Sequence, residues 1–100
     1  MSAHLITTMS GATFDYGDAA NATITIDDIA VALGNTCRFG GHVHNFYSVA
    51  EHEILVANLV YEAAGTREEC YAALHHDSHE AFTGDVPSPL KAKIKAEAPR

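Results

Sequence analysis

Apolar residues recur at helical spacing in four stretches of the chain. Three of these open on one signal: a Ser or Thr able to cap an N–H, followed three positions later by an acid that can return the bond. The signals are Thr25-Ile-Asp-Asp28, Ser48-Val-Ala-Glu51 and Thr66-Arg-Glu-Glu69. Gly34, Gly65 and Gly84 stand where the three helices should stop, so the third is expected to run from Thr66 to the neighbourhood of Gly84. A fourth helix is expected at Ser88-Pro89, with Ser as cap and Pro in the first helical position, continuing through "LKAKIKAEA".

Ahead of the helices the period changes. "HLITTM" and "ATFDY" are rich in β-branched and aromatic residues and flank Ser10-Gly11, which predicts a two-residue hairpin turn. Between the first two helices, "NTCRFGGHVHNFY" reads as a loop: its paired glycines allow a tight turn, and its Arg and His residues lie close together.

With 100 residues, one domain is the ceiling. Thirteen acidic residues against six basic ones give a net charge of −7, which opposes binding to a nucleic-acid backbone. The bases are only partly gathered, with Lys91, Lys93, Lys95 and Arg100 near the C-terminus and Arg38 and Arg67 elsewhere. Cys37 and Cys70 are expected to be reduced thiols. The N-terminus lacks the pattern of an export signal and no apolar run reaches membrane-spanning length, so a cytoplasmic protein with no membrane partner is expected.

The candidate chemistry is concentrated in "HHDSHEAFTGD", residues 75 to 85. On a continuous helix, His76 and Glu80 share a face and Asp77 lies about 100° around from His76. No Lys or Arg falls between Arg67 and Lys91, so a metal ion is the nearest compensation for such an acidic cluster, with imidazole and carboxylate as suitable ligands. His52, in the first turn of the second helix, is a further candidate ligand. Surface or core packing would account for any one of these histidines alone. The zinc-protease patterns HExxH and HxxEH are absent, as are CxxC, the P-loop and the GxGxxG fingerprint.

His52, the pair His76-Asp77 and the following "SHEAFTGDVPSPLK" resemble the HD-domain phosphohydrolases, in particular the branch of bacterial 5'-deoxynucleotidases and phage deoxynucleoside triphosphohydrolases. "CRFGGHVHNFYSVAEH", the opening "TTMSGATFDY" and "ITIDDIAVAL" are similar to its phage-type members, and the pattern HDxxEAxxGDxPxPxK extends the likeness from about residue 6 to residue 95. The resemblance implies an all-α fold, an HD-domain helical bundle with a small N-terminal β-hairpin. It implies a divalent metal ion (Zn, Co, Mn or Mg) bound by His52, His76 and Asp77 and a later aspartate. No aspartate follows Asp85, and Glu97 is the only acid left. Residues 1–100 are therefore expected to be a single, C-terminally truncated HD domain lacking C-terminal helices, with Glu97, a water or a neighbouring chain as the alternative source of the last ligand.

The same resemblance gives Glu80 the handling of protons for the attacking water, and gives Asp85 the holding of that water or of the leaving oxygen. Arg38 would clamp phosphate through its planar fork, with Lys91 assisting. Phe39 and Phe46 are candidates to bracket a base or sugar, against simple packing. His75 and His79 are read as packing or solvent-facing, His42 and His44 as possible pocket lining, and Glu51 and Glu53 as capping and solvated residues.

The function expected is hydrolysis of deoxynucleotides, tilted toward release of triphosphate from a deoxynucleoside triphosphate. Release of phosphate from a monophosphate and a nucleotide-binding module without turnover are the alternatives. A chain this short is expected to need a second copy, as a homo-oligomer, or further helices to enclose its cleft. A phage-encoded protein would act in the host cytoplasm.

Overall fold

The structure, a computed structural model, describes residues 4–97. The expected continuation of the last helix to Ala98, and Arg100 of the basic group, lie outside them. Two strands, β1 (Leu5–Thr7) and β2 (Thr13–Asp15), precede five helices: α1 (Ile26–Gly34), α2 (Val49–Glu62), α3 (Arg67–His75), α4 (Glu80–Thr83) and α5 (Ser88–Glu97). The architecture is thus mainly helical with a small antiparallel N-terminal hairpin. Among the described residues, no helix is long and apolar enough to cross a membrane. Cys37 and Cys70 are free thiols.

The hairpin forms, but with a different turn. Thr8 N donates to Ala12 O at 2.8 Å and Gly11 N to Thr8 O at 2.9 Å, leaving a three-residue loop with Gly11 at φ 90°. That left-handed position closes a type I turn with a bulge, and a side chain there would be strained. The register pairs Ile6 with Phe14 and turns the Phe14 side chain inward. Its ring stacks on Phe82 of α4 at 4.2 Å, and the Tyr16 hydroxyl donates to the Phe82 carbonyl, so the hairpin holds α4 in place.

All three capping residues act as expected: the side-chain oxygens of Thr25, Ser48 and Thr66 accept from Asp28, Glu51 and Glu69 N–H groups. Only Glu69 returns the bond, at 2.9 Å. Asp28 is diverted into the hairpin turn, where its buried carboxylate accepts from Thr8 Oγ1 at 2.8 Å, Ser10 N at 2.9 Å and Ser10 Oγ at 2.7 Å. At the end of α2 the left-handed residue is Ala64, not Gly65. Gly65 N donates to Val60 O at 2.9 Å and Ala64 N to Tyr61 O at 3.0 Å, the two bonds of a Schellman stop. Gly65 is required for closeness, since a Cβ there would lie 2.5 Å from Val60 Cγ1. The last helix starts one position early: Pro87 O accepts from Lys91 N, so Ser88 is already helical.

The core is thin. α2 packs mainly on α3, and α1 packs on α2 and α4. Phe14, Leu33 and Val49 are the buried apolar side chains among the described residues, and Asp28, Ser48, Glu53 and Glu80 are buried with them. The outer face of α2 leaves Ile54, Leu55 and Leu59 about half exposed, and α5 is exposed along its length.

Candidate metal centre

The third expected helix is not continuous. α3 stops at His75, residues 76–79 form a turn, and α4 begins at Glu80. Through the break, the backbone bonds tighten to three-residue spacing: Ser78 N to His75 O, Glu80 N to Asp77 O, Ala81 N to Ser78 O and Phe82 N to His79 O, at 3.0–3.1 Å. Three residues per turn bring positions i and i+3 into line. Asp77 and Glu80 therefore both line one cleft, whereas His76 and Glu80 do not share a face: His76 is 40% exposed and Glu80 only 3%.

Two hydrogen bonds stand at the break, one local and one reaching from α2. In a continuous helix Asp77 N would donate to Ala73 O. Here that carbonyl meets the His76 ring, whose Nδ1 lies 2.6 Å away, and the His76 backbone N–H at 3.5 Å. Asp77 N donates instead to Glu53 Oε1 at 2.9 Å. Side chains that bond nearby backbone compete with the helical ladder in this way.

The exchange brings His76 and Asp77 to His52. One donor atom from each of the three lies within 4.8 Å of the others, and the His52 and His76 ring centroids are 5.7 Å apart. A carbonyl can only accept, so His76 Nδ1 carries the hydrogen and Nε2 presents its lone pair, able to bind a proton or a metal ion. That Nε2 stands 3.0 Å from Asp77 Oδ2. Two lone-pair atoms this close need a cation between them, either a proton or a metal ion. An ion about 2.1 Å from each donor in tetrahedral geometry spaces them about 3.4 Å apart, so closing from 4.8 Å asks for side-chain shifts of roughly an ångström. The donor set fits a divalent ion. Burial, with Arg38 and His76 nearby, holds the His52 imidazole below its ordinary range, which favours the uncharged form a metal ligand needs.

Asp77 also lines a neighbouring cleft of about 360 Å³ with Arg38, Phe39, Glu80, Asp85 and Lys91. The sequence-derived catalytic and substrate-binding candidates therefore share one space. Burial, the Asp85 carboxyl and the Asp77 charge push Glu80 up to about 7, with Lys91 opposing. Positive charge does reach the acidic cluster, from Arg38 and Lys91 on the cleft walls rather than from residues nearby in sequence.

Arg38 is placed by its loop. Val49 N to Thr36 O at 2.9 Å, the Cys37–Ser48 bridge and Arg38 N to Tyr47 O at 2.8 Å pinch the loop shut where it enters α2. Phe39 then adopts φ 59°, a left-handed conformation costly for a residue with a Cβ. Its N–H donates to Asp85 Oδ2 at 2.8 Å, tying the loop to the end of α4. The Arg38 guanidinium lies over the Phe39 ring at 4.4 Å, and the Tyr47 ring is 5.8 Å away. Phe39 thus carries the arginine on its face while lining the cleft, and one Asp85 oxygen is committed to the loop.

Other expectations resolve simply. Phe46, His42 and His44 are exposed and lie outside this cleft. His75 packs on Tyr71 and bonds Ser78, and His79 borders an apolar cavity on the side of Phe82. Glu97 pairs with Lys93 at 2.6 Å on α5 and does not join the three donors.

Glu53 is the residue the sequence reading missed. It is 4% exposed, not solvated, and burial raises its pKa, only partly offset by the Asp77 N–H. The signal was present: Val49, Glu53, Val56 and Val60 form one helical stripe, in which Glu53 occupies an apolar position.

The chain is 46% identical over 86 residues to the uncharacterized protein YfdR of Escherichia coli (strain K12). It is 39% identical over 90 residues to an uncharacterized protein of Rhodobacter capsulatus. Each match covers 86% of this chain and 46% of the relative, so the chain spans about half the length of the curated relatives it matches. No family model matches the sequence.

Proposed function

We propose that the protein is a metal-dependent phosphohydrolase of the HD-domain type acting on deoxynucleotides, with release of triphosphate from a deoxynucleoside triphosphate as the favoured reaction. One observation carries the reading: the three donor atoms of His52, His76 and Asp77 converge at a cleft lined by Asp77, two further carboxyl groups and two cations. Asp77 belongs to both, so an ion at the donors would sit at the cleft wall.

A divalent ion held there supplies Lewis acidity toward a phosphoryl oxygen and toward water. The Glu80 carboxylate, fixed by burial in the cleft, takes a proton from the attacking water. Arg38, stacked on Phe39, presents a preset fork to phosphate oxygens, and Lys91 offers a second cation lining the same cleft. The oxygen of water bonds to the α-phosphorus, the bond from that phosphorus to the sugar oxygen breaks, and the proton passes to the sugar oxygen. Asp85 keeps one oxygen on Phe39 N and leaves the other for water or the departing oxygen.

The pairing of Arg38 with Lys91 favours the triphosphate, whose charge asks for more than one side-chain cation. Incubating manganese-loaded protein with dATP and with dAMP, and identifying the products by phosphorus NMR, tests the reading. Inorganic triphosphate from dATP is expected. Phosphate from dAMP alone would move the assignment to a 5'-deoxynucleotidase, and no product from either would leave a nucleotide-binding module.

A further inference from the structure

We infer that Glu53 is the positioning residue of the metal centre: its carboxylate oxygen captures the Asp77 peptide, breaks the helix at that point and so sets two ligand-bearing segments face to face. The inference rests on the metal-binding reading above and assigns the group that makes the donor geometry possible.

His52 and Glu53 are neighbours on α2, whereas His76 and Asp77 lie on the turn after α3. The Glu53 side chain therefore hydrogen-bonds one source of ligands to the other. Glu53 Oε1 accepts from Asp77 N at 2.9 Å, 24 positions away in sequence. With that N–H withdrawn from the helical ladder, Ala73 O keeps only a long bond of 3.5 Å from His76 N and is open to the His76 ring at 2.6 Å, which fixes the tautomer and aims Nε2 at Asp77 Oδ2. A helix continued through Asp77 would return the carbonyl to the backbone and release the ring. The interaction is shielded from water, because Glu53 is 4% exposed and Val49, one turn before it, is 1% exposed. Glu53 itself stays out of the convergent donor group, as a residue acting through the ligands should.

The role depends on where the acceptor oxygen lies, not on charge, and two mild substitutions separate these. Glu53→Gln keeps an acceptor oxygen at the same reach and removes the charge. Glu53→Asp keeps the charge and withdraws the oxygen by one methylene. Cobalt(II) is titrated into each protein, following the visible absorption bands of the bound ion alongside the thermal midpoint without metal. Wild type and Glu53→Gln are expected to bind within about threefold of each other with the same band positions. Glu53→Asp should lose about 10–100-fold in affinity, the range for a group supporting a ligand, and show shifted bands.

The reverse order, with Asp retained and Gln weakened, would overturn positioning in favour of charge balance. Altered thermal midpoints with unchanged affinities and bands would reduce Glu53 to a structural residue while leaving the metal reading intact. Failure of the wild type to bind cobalt would remove the reading and the inference together.

Discussion

Two buried carboxylates join separate parts of the molecule, and they are satisfied to different degrees. Asp28 fastens the hairpin to α1 and accepts hydrogen bonds from two hydroxyls and a peptide N–H of Thr8 and Ser10. These hold its carboxyl below the usual carboxylate range. Glu53 fastens α2 to the 76–79 turn, takes one peptide N–H, and is held above that range by burial. A carboxylate surrounded by donors has no remaining use for a ligand, and serves to lock a turn. One that is buried with a single hydrogen-bond donor is less well satisfied, and Glu53 stands next to the converging atoms of His52, His76 and Asp77. Glu80, also buried and beside the Asp85 carboxyl, belongs with Glu53.

The largest effect expected is at Asp77, the residue common to donor group and cleft. Asp77→Ala should abolish both cobalt binding and hydrolysis, and an unchanged metal stoichiometry by elemental analysis would break the donor assignment. Glu80→Gln comes next: turnover of dATP should fall about 10²–10⁴-fold, the typical contribution of a proton-transfer group, with metal affinity unaltered. Equal loss of both would place Glu80 in metal binding instead. Arg38→Lys removes the planar fork and its stacking on Phe39. Loss of a charged hydrogen bond of about 1.5–3 kcal/mol corresponds to roughly a 10–100-fold rise in KM, with a smaller change in kcat.

The smallest effect on the site, and the sharpest on the comparison, is at Asp28. Its folded pKa lies below the ordinary 3.8, so its contribution to stability is complete above that value and is lost as pH falls through the folded one. Thermal midpoints measured from pH 5 to pH 2 should therefore drop less steeply for Asp28→Asn than for wild type, from a lower starting value, with cobalt affinity unchanged. A parallel drop in both proteins would show that Asp28 is not the acid-sensitive joint.

Much of this was legible because it is local. Caps at Thr25, Ser48 and Thr66 use side chains within three residues of the N–H they serve, and their spacing shows in the sequence. The helix break at His76 was not legible, since the next N–H, that of Asp77, leaves the ladder for Glu53, 24 residues before it in the chain. Reading residues 66–84 as one helix therefore placed His76 and Glu80 on a common face, where the tightened turn pairs Asp77 with Glu80. Asp28 escaped for the same reason: its expected partner was its own cap, and its actual partners belong to the hairpin turn. Arg38, Phe39, Glu80, Asp85 and Lys91 could be singled out as candidates in the sequence, but the stacking of Arg38 on Phe39 and the tie from Asp85 to Phe39 required the path of the loop.

The most direct test is anomalous diffraction from crystals grown with cobalt, recorded on both sides of the metal's absorption edge. The account predicts one strong peak with His52 Nδ1 or Nε2, His76 Nε2 and an Asp77 carboxylate oxygen each about 2.0–2.2 Å away. A peak elsewhere, or none near these three side chains, would contradict it.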